Sequence, residues 1–194
     1  MPYPVAACRG RNIGPTIPPF LATFTGTNGT TLNGLAPDSG PNALVIRSGV
    51  WTIQTNRASC GTQGIFTADI GRANYAYTGV VRAGGSGAGV ALIVRYDPAN
   101  GHFYMANAEI GAGKFRLYRY DGSFTQIGEA SLTLNVNTDF TVVVTVNGQT
   151  ITATLDGANS IQVTNASVNT TATHIGIRCD TDTVGITDSL SVPL

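Results

Sequence analysis

Residues 141–157 read TVVVTVNGQTITATLDG, in which apolar and polar side chains alternate on both sides of Asn147-Gly148. A period of two predicts strands that bury one face, and Asn-Gly is typical of a two-residue hairpin loop. One face is then aliphatic with a single phenylalanine, and the opposite face is mostly threonine. With Asn147-Gly148 as the loop, the predicted antiparallel pairs are Val144–Ile151, Val142–Ala153 and Phe140–Leu155.

The next strand, which follows Asp156-Gly157, is sensitive to the length of its connection. A two-residue loop would place Ile161 opposite Thr152, on the threonine face, because a shift of one residue moves a side chain to the other face of a sheet. A three-residue connection places Ile161 opposite Ala153, on the apolar face. We therefore predict the longer loop or a bulge.

The same alternation recurs along most of the chain, in short segments separated by Asn-Gly, Asp-Gly and other glycine-containing turns. No longer segment keeps the helical period of about 3.6, so we expect almost no helix. This pattern is typical of an antiparallel β-sandwich or jelly roll. The predicted strands span 43–47, 50–55, 58–60, 65–70, 76–82, 89–96, 102–110, 114–121, 124–130, 140–146, 150–155, 160–164, 174–179 and 188–192.

Residues 1–19 differ from the rest because they are rich in proline and show little alternation. Proline fixes φ and lacks a backbone N–H, so this segment is predicted to be an extended arm rather than part of a sheet. The predicted division is an arm at 1–19 and one β-sandwich domain at 20–194. The arm residues predicted to contact a partner are Pro2, Tyr3, Pro4, Arg9, Arg11, Pro15 and Pro18.

Charge is scarce: 11% of residues are charged, the net charge is zero, and arginine supplies every cation except Lys114. This composition lacks the basic patch of a nucleic-acid-binding protein. A surface poor in lysine and glutamate fits a face covered in an assembly, and compositional drift of the genome explains it equally well.

The first residues lack the charged and apolar regions of a signal peptide, and no segment is apolar enough for a membrane span. We therefore expect no export signal and no membrane partner.

Aromatic residues concentrate between residues 95 and 124, where they alternate with arginine. An alternating strand buries one set of rings and presents tyrosine and arginine on its other face. Such side chains can stack on a sugar ring and hydrogen-bond to its hydroxyl groups. The residues predicted to contact a glycan are Tyr96, Tyr104, Tyr118 and Arg119.

The acidic residues argue against catalysis. Retaining glycosidases place two carboxyl groups about 5–5.5 Å apart, which residues i and i+2 of one strand can do. The single Asp-x-Asp pair, Asp180 and Asp182, follows a predicted strand and falls in a predicted loop. Together with Asp188 these residues are candidate calcium ligands, because calcium binds oxygen atoms; the alternative is that they cap turns.

Six segments carry a resemblance to a known superfamily. They are FTGTNGTTLNG, SGVWTIQTNRA, GVALIVRYDPANGHFYMA, KFRLYRYDGSFTQIG, DFTVVVTVNGQTITATLDG and HIGIRCDTDTVGITDSLSV. In this order they make residues 20–194 resemble concanavalin A-like, or laminin G-like, jelly-roll domains. The resemblance implies a two-sheet antiparallel sandwich, as in carbohydrate-binding modules, lectins, glycanases and some bacteriophage virion proteins. The glycanase motif Glu-x-Asp-x-x-Glu has no match in the chain, so no catalytic residue is carried over.

These expectations combine into one hypothesis: a non-enzymatic bacteriophage virion accessory protein, either a capsid decoration or a minor tail protein. Its arm would bind major capsid or tail proteins through backbone hydrogen bonds, and particles would assemble in the host cytoplasm. Homo-oligomerisation, for example as a trimer, would cover open sheet edges, and a host-surface glycan is a further expected partner. The alternative is a stand-alone carbohydrate-binding lectin module, and a glycoside hydrolase ranks below both.

Overall fold

The computed structural model describes residues 17–85, 89–180 and 185–194. In these ranges the chain forms fifteen β-strands and no helix, so the predicted all-β fold is confirmed. It follows that the described residues include no helix able to cross a membrane. The strands are β1 (Phe20–Ala22), β2 (Val45–Ser48), β3 (Trp51–Ile53), β4 (Ala58–Cys60), β5 (Gly64–Asp69), β6 (Tyr75–Ala83), β7 (Gly89–Tyr96), β8 (Phe103–Glu109), β9 (Lys114–Tyr120), β10 (Phe124–Ser131), β11 (Asp139–Asn147), β12 (Thr150–Leu155), β13 (Asn159–Val163), β14 (His174–Cys179) and β15 (Gly185–Val192).

The strands form two antiparallel sheets. One sheet has eight strands in the order β13-β12-β11-β6-β15-β4-β3, with β1 paired to β15 on the same side as β4. The other has seven strands in the order β10-β9-β8-β7-β14-β5-β2. In both sheets, strands that are distant in the sequence lie side by side, as β6 does between β11 and β15. This connectivity is that of a jelly-roll sandwich, as predicted.

The core fills the space between the two sheets. Trp51 of β3 and Phe66 of β5 are both buried, and their ring centroids lie 4.8 Å apart in an edge-to-face arrangement. Gly79 of β6 leaves room for Leu92 of β7, because a Cβ atom at Gly79 would lie 3.1 Å from the Cδ1 atom of Leu92. Side chains of opposite sheets therefore interlock at close-packed distances.

A polar contact also joins the sheets. Cys60 of β4 and Cys179 of β14 are buried, and both thiols donate to the carbonyl oxygen of Thr62, from 3.0 Å in the case of Cys179. The neighbouring thiol of Cys179 lowers the pKa of Cys60. Both polar groups thus find partners in an otherwise apolar region.

The β11–β12 hairpin has the predicted faces but a different register. Asn147 pairs with Thr150, so the loop residues are Gly148 and Gln149, and the predicted pairs are wrong by two positions. Gly148 takes a φ of 52° while Asn147 continues the strand, which is the pattern of a type II′ turn with glycine first. A shift of two residues keeps each side chain on its face. The predicted core residues Phe140, Val142, Val144, Ile151, Ala153 and Leu155 are accordingly all buried.

The connection between β12 and β13 confirms the longer loop. Ala153 pairs with Ile161, so Asp156, Gly157 and Ala158 make the turn. Asp156 and Gly157 both have positive φ angles, 49° and 70°. The extra residue keeps Ile161 on the core face, where its exposure is only 7%.

The predicted strands agree with the structure apart from their ends. Each of the fourteen predicted segments overlaps an observed strand, and β1 is the strand of the described residues that the pattern did not predict. Strand β1 has three residues and directly follows Pro18-Pro19, so it offers too few positions to show a period of two. It forms by pairing with the distant C-terminal end of β15.

Replacement of Gly176 by alanine tests the packing of the central strands. A Cβ atom at Gly176 of β14 would lie 2.2 Å from the carbonyl oxygen of Phe66 on β5, whereas one at Gly61 would meet no heavy atom within 4 Å. Gly176→Ala should therefore lower the free energy of unfolding by about 2–3 kcal/mol, because the backbone of a paired strand must shift. The matched control, Gly61→Ala, should stay within about 0.5 kcal/mol of the unmodified protein. Urea denaturation measures both, and equal midpoints would contradict the packing described here.

Candidate functional site

The seven-stranded sheet carries a second apolar cluster on the face that points away from the core. The cluster contains the buried residues Ala91, Ile93, Tyr96, Phe103 and Met105, with Ile65, Tyr118 and Tyr120 packed against them. The outer face of an antiparallel sheet is ordinarily polar, as it is on β11 and β12. An outer face rich in aromatic residues is typical of a binding surface. We call this face the groove.

A bulge in β7 determines which side chains reach the groove. Leu92 and Val94 belong to the core, so strict alternation would place Tyr96 there as well. Arg95 instead has a φ of 53°, and the pairing of β7 with β14 shifts by one residue at this point. Tyr96 therefore joins Ile93 on the outer face.

The side chain of Arg95 anchors this bulge. It is fully buried, and its guanidinium group donates to the carbonyl oxygens of Ala166, at 2.9 Å, and Gly148. Its backbone N–H donates to the hydroxyl oxygen of Tyr75 at 3.2 Å. Burial lowers the pKa of Arg95, so the carbonyl partners are needed to hold the cation in the interior.

The floor of the groove is a row of aromatic rings. Phe103 and Tyr120 stack with centroids 5.1 Å apart, and Tyr96 stacks on the other side of Phe103 at 6.1 Å. Phe124, at the start of edge strand β10, lies 4.7 Å from the Tyr120 ring and remains 47% exposed. Offset and tilted rings at these distances stabilise each other, so the row is a preformed surface.

Phe124 and Arg178 divide the groove into two cavities. The guanidinium carbon of Arg178 lies 4.9 Å from the centroid of the Phe124 ring, in cation–π contact. Both residues line the larger cavity, of about 420 Å³, and the smaller one, of about 260 Å³. The larger cavity is lined by Arg47, Ser48, Gln63, Ile65, Tyr96, Asn100, Gly101, Phe103, Tyr120, Phe124 and Arg178. The smaller cavity is lined by Met105, Asn107, Glu109, Tyr118, Phe124, Arg178 and Asp180.

A network of charges borders the smaller cavity. Glu109 accepts hydrogen bonds from the hydroxyl of Tyr118, at 2.8 Å, and from the guanidinium group of Arg116. Arg116 also donates to Glu129 at 2.8 Å, and Lys114 donates to the same carboxylate at 2.6 Å. These ion pairs bind β8, β9 and β10 together at the edge of the groove.

The structure separates the four residues predicted to contact a glycan. Tyr96 and Tyr118 line the groove. Tyr104 is wrongly placed by the prediction: it is 1% exposed in the core, where its hydroxyl accepts a hydrogen bond from the backbone N–H of Val168. Arg119 pairs with Tyr104 across β8 and β9 and so lies on the same inward side, at the end of its strand, with an ion pair to Asp121. Arg119 follows Phe115 and Leu117 at intervals of two residues, and both of those are buried. The alternation in the sequence therefore already indicated that Arg119 lies on the inward side.

Sequence reasoning missed Arg47, Arg178, Phe103 and Phe124 as site residues. Arg178 lies in HIGIRC, a strand that is otherwise almost free of charge, and a cation in such a strand is the kind of signal that marks a site. Phe124 offered no signal, because its place over the groove depends on how β10 folds against β9.

The calcium site suggested by the sequence does not form between Asp180 and Asp188. Asp180 follows β14 and makes an ion pair with Arg178, while Asp188 belongs to β15 of the other sheet and lies 3.7 Å from the Nε atom of Arg57. Asp182 lies outside the described residues. Among the residues that the structure describes, no three acidic, histidine or cysteine side chains cluster as metal ligands do.

Of the arm residues, Pro18 lies within the described ranges. Its carbonyl oxygen accepts a hydrogen bond from Arg72 at 3.3 Å, and the carbonyl oxygen of Pro19 accepts one from Ser39 at 3.0 Å. The end of the arm thus contacts its own chain. The other predicted contact residues, Pro2, Tyr3, Pro4, Arg9, Arg11 and Pro15, are outside the described ranges.

The architecture is similar to that of several solved structures. No protein-family model and no curated protein sequence matches the chain. In structure, it is similar to a β-glucanase of Bacillus licheniformis, at 12% identity over 93% of this chain and 100% of that one, with a TM-score of 0.63. It is also similar to the carbohydrate-binding module CBM66 of Bacillus subtilis, at 17% identity over 75% and 91% of the two chains, with a TM-score of 0.59. The exoplasmic/lumenal domain of VIP36, in a Ca²⁺/Man2-bound form, matches at 12% identity over 84% and 85%, with a TM-score of 0.59.

At these identities the similarity shows the fold. The chain has the concanavalin A-like jelly-roll fold that lectins, carbohydrate-binding modules and glucanases share, as the resemblance in its sequence implied.

The charge network at the groove edge predicts a dependence of stability on pH. Ion pairs with Lys114 and Arg116 lower the pKa of Glu129 from 4.5 to about 2. Because the pKa is lower in the folded protein, the stabilisation is complete above pH 4.5 and is lost as the pH falls toward 2. Arg82 and Arg57 hold the pKa of Asp139 well below its usual value. Stability that depends on this carboxylate is therefore also lost as the pH falls.

Glu129→Gln and Asp139→Asn should each make the decrease in stability with acid shallower than in the unmodified protein. Urea midpoints recorded across this pH range measure the effect. If both variants lose stability with acid as steeply as the unmodified protein, the ion pairs do not supply the acid dependence.

Proposed function

We propose that this protein is a non-enzymatic glycan-binding protein and that the groove is its binding site. The observation that carries the proposal is the row of aromatic rings on the outer face of the seven-stranded sheet. A sugar ring has an apolar C–H face and a rim of hydroxyl groups. Tyr120 and Phe124 are the more exposed rings of the row and offer surface for the apolar face, with the buried rings of Tyr96 and Phe103 packed beside them. Asn100 and Gln63 offer donors around it.

The size of the groove and the fold support this proposal. Small-molecule sites have volumes of about 300–1,000 Å³, and the larger cavity lies within that range. Proteins of the same fold include a carbohydrate-binding module and the exoplasmic/lumenal domain of VIP36 in a Ca²⁺/Man2-bound form. Fold alone does not define function, so the aromatic floor is the stronger argument.

Replacement of Tyr120 by alanine tests the proposal. Tyr120 is partly exposed and stacks on Phe103, so its removal takes away ring surface without opening the core. We expect the variant to bind the best glycan of an array about fivefold to tenfold more weakly, by isothermal titration calorimetry. The matched control is Thr152→Ala, on the outer face of the eight-stranded sheet, which should bind normally. Binding to no glycan, or an equal loss in both variants, would contradict the groove as the site.

A glycoside hydrolase is the second candidate, and one observation favours it. Glu109 and Asp180 line the same cavity, and burial raises the pKa of Asp180, with the charge of Glu109 adding to the shift. Two carboxyl groups with different environments are what glycosidases use. Arg116 and Arg178 occupy these carboxylates with ion pairs, which supports binding without catalysis. Release of reducing ends from a bound oligosaccharide, abolished by Glu109→Gln, would favour the hydrolase instead.

We further propose that the protein is a bacteriophage virion accessory protein attached by residues 1–19. The contacts of Pro18 and Pro19 with Arg72 and Ser39 fix the last residues of this segment on the domain. The threonine face of the eight-stranded sheet, on β11 and β12, offers a second surface for major capsid or tail proteins or for another copy of the chain.

Deletion of residues 1–16 tests the virion role. The deletion keeps Ile17 to Pro19 and their contacts, so the melting temperature should change by no more than about 2 °C. We expect the shortened protein to be absent from purified particles of the phage that encodes it, by mass spectrometry, while the full chain is present. Incorporation of the shortened protein at the normal level would contradict attachment through the arm.

A further inference from the structure

The two cavities of the groove differ in charge. The described residues that line the larger cavity include two cations, Arg47 and Arg178, and no aspartate or glutamate. The two carboxylates of the groove, Glu109 and Asp180, line the smaller cavity instead. A neutral sugar needs no such separation, and a cavity lined by cations attracts an anion.

Arg47 supplies the larger cavity with a cation. Its Nε atom donates to the hydroxyl of Thr67 at 2.9 Å, and its guanidinium carbon lies 5.4 Å from the centroid of the Tyr96 ring. Among the described residues it makes no ion pair. These contacts hold the plane of the guanidinium group beside the aromatic floor and leave its terminal N–H groups for a ligand.

The neighbouring acidic residues are engaged elsewhere. Asp97 accepts hydrogen bonds from the backbone N–H of Ala99, at 2.9 Å, and from Asn100, at 2.7 Å, within its own turn. Asp69 accepts from the N–H of Gly71 and the hydroxyl of Thr173. Neither carboxylate lines the larger cavity.

Arg178 is the second cation, and its position is rigid. It is 8% exposed, its guanidinium group packs on the Phe124 ring, and its ion pair with Asp180 is made on the side of the smaller cavity. A guanidinium group fixed by a ring and a carboxylate is preorganised for a second anion, because little side-chain entropy remains to be lost.

We propose that the larger cavity binds a sugar with an anionic substituent, a carboxylate or a sulfate, on a ring that stacks on the aromatic floor. Arg47 binds the anion directly, and Arg178, which is paired with Asp180, adds a second guanidinium group to the lining of the same cavity. This inference rests on the proposed glycan-binding function and names the chemical class of the glycan.

Matched pairs of trisaccharides test the inference: trigalacturonate against galactotriose, and a sulfated galactotriose as a third probe. Calorimetry at low salt should show the acidic sugars binding at least about tenfold more tightly than galactotriose, since charge-assisted hydrogen bonds are the strong ones. The preference should shrink as salt is added. Comparison of trigalacturonate with the sulfated probe shows which anion the cavity takes, and tighter binding of either one supports the inference.

Arg47→Gln should abolish the preference, so that trigalacturonate and the sulfated probe bind no more tightly than galactotriose. The control is Arg119→Gln, which removes a cation on the inward side of the same sheet and should leave the preference intact. Equal affinity for acidic and neutral sugars, or an equal effect of both variants, overturns the inference and leaves glycan binding standing. If no sugar of an array or of these pairs binds, the proposed function falls with it.

Discussion

The buried guanidinium group of Arg95 is the contact on which the geometry of the groove depends. A cation in the interior is stable only when hydrogen-bond acceptors surround it, and the carbonyl oxygens of Gly148 and Ala166 provide them. Gly148 belongs to the turn of the eight-stranded sheet, so this contact joins the two sheets at one end of the sandwich. It fixes the bulge of β7, and the bulge in turn places Tyr96 on the outer face.

The sandwich therefore has three distinct surfaces. The inner faces are aliphatic and aromatic and close on each other. The outer face of the eight-stranded sheet is lined by threonine on β11 and β12, and Asp139 and Arg82 form an ion pair at its edge. The outer face of the seven-stranded sheet holds aromatic rings and a division of charge, with cations on one side of Phe124 and carboxylates on the other. This last surface combines ring area, volume and charge in one place.

The sequence predicted what depends on local periodicity and failed where distant strands decide. The faces of Val142 and Ile151 followed from alternation, while the register of their hairpin was wrong by two because Gly148, rather than Asn147, takes the positive φ. Tyr118 was correctly assigned to an outer face, and Tyr104 was not, because nothing local distinguishes the two faces of a strand that is apolar on both. The contact of Phe124 with Arg178 joins strands that are not neighbours in the sequence and has no local signature.

The most direct test of the account is to map a bound glycan by NMR, with the chain labelled with ¹⁵N and titrated with its strongest array ligand. If the groove is the site, the amide shifts change around Tyr96, Phe103, Tyr120 and Arg178 and stay constant around Thr141 and Thr152. Shifts confined to the threonine face of the eight-stranded sheet would contradict the groove as the functional surface of this protein.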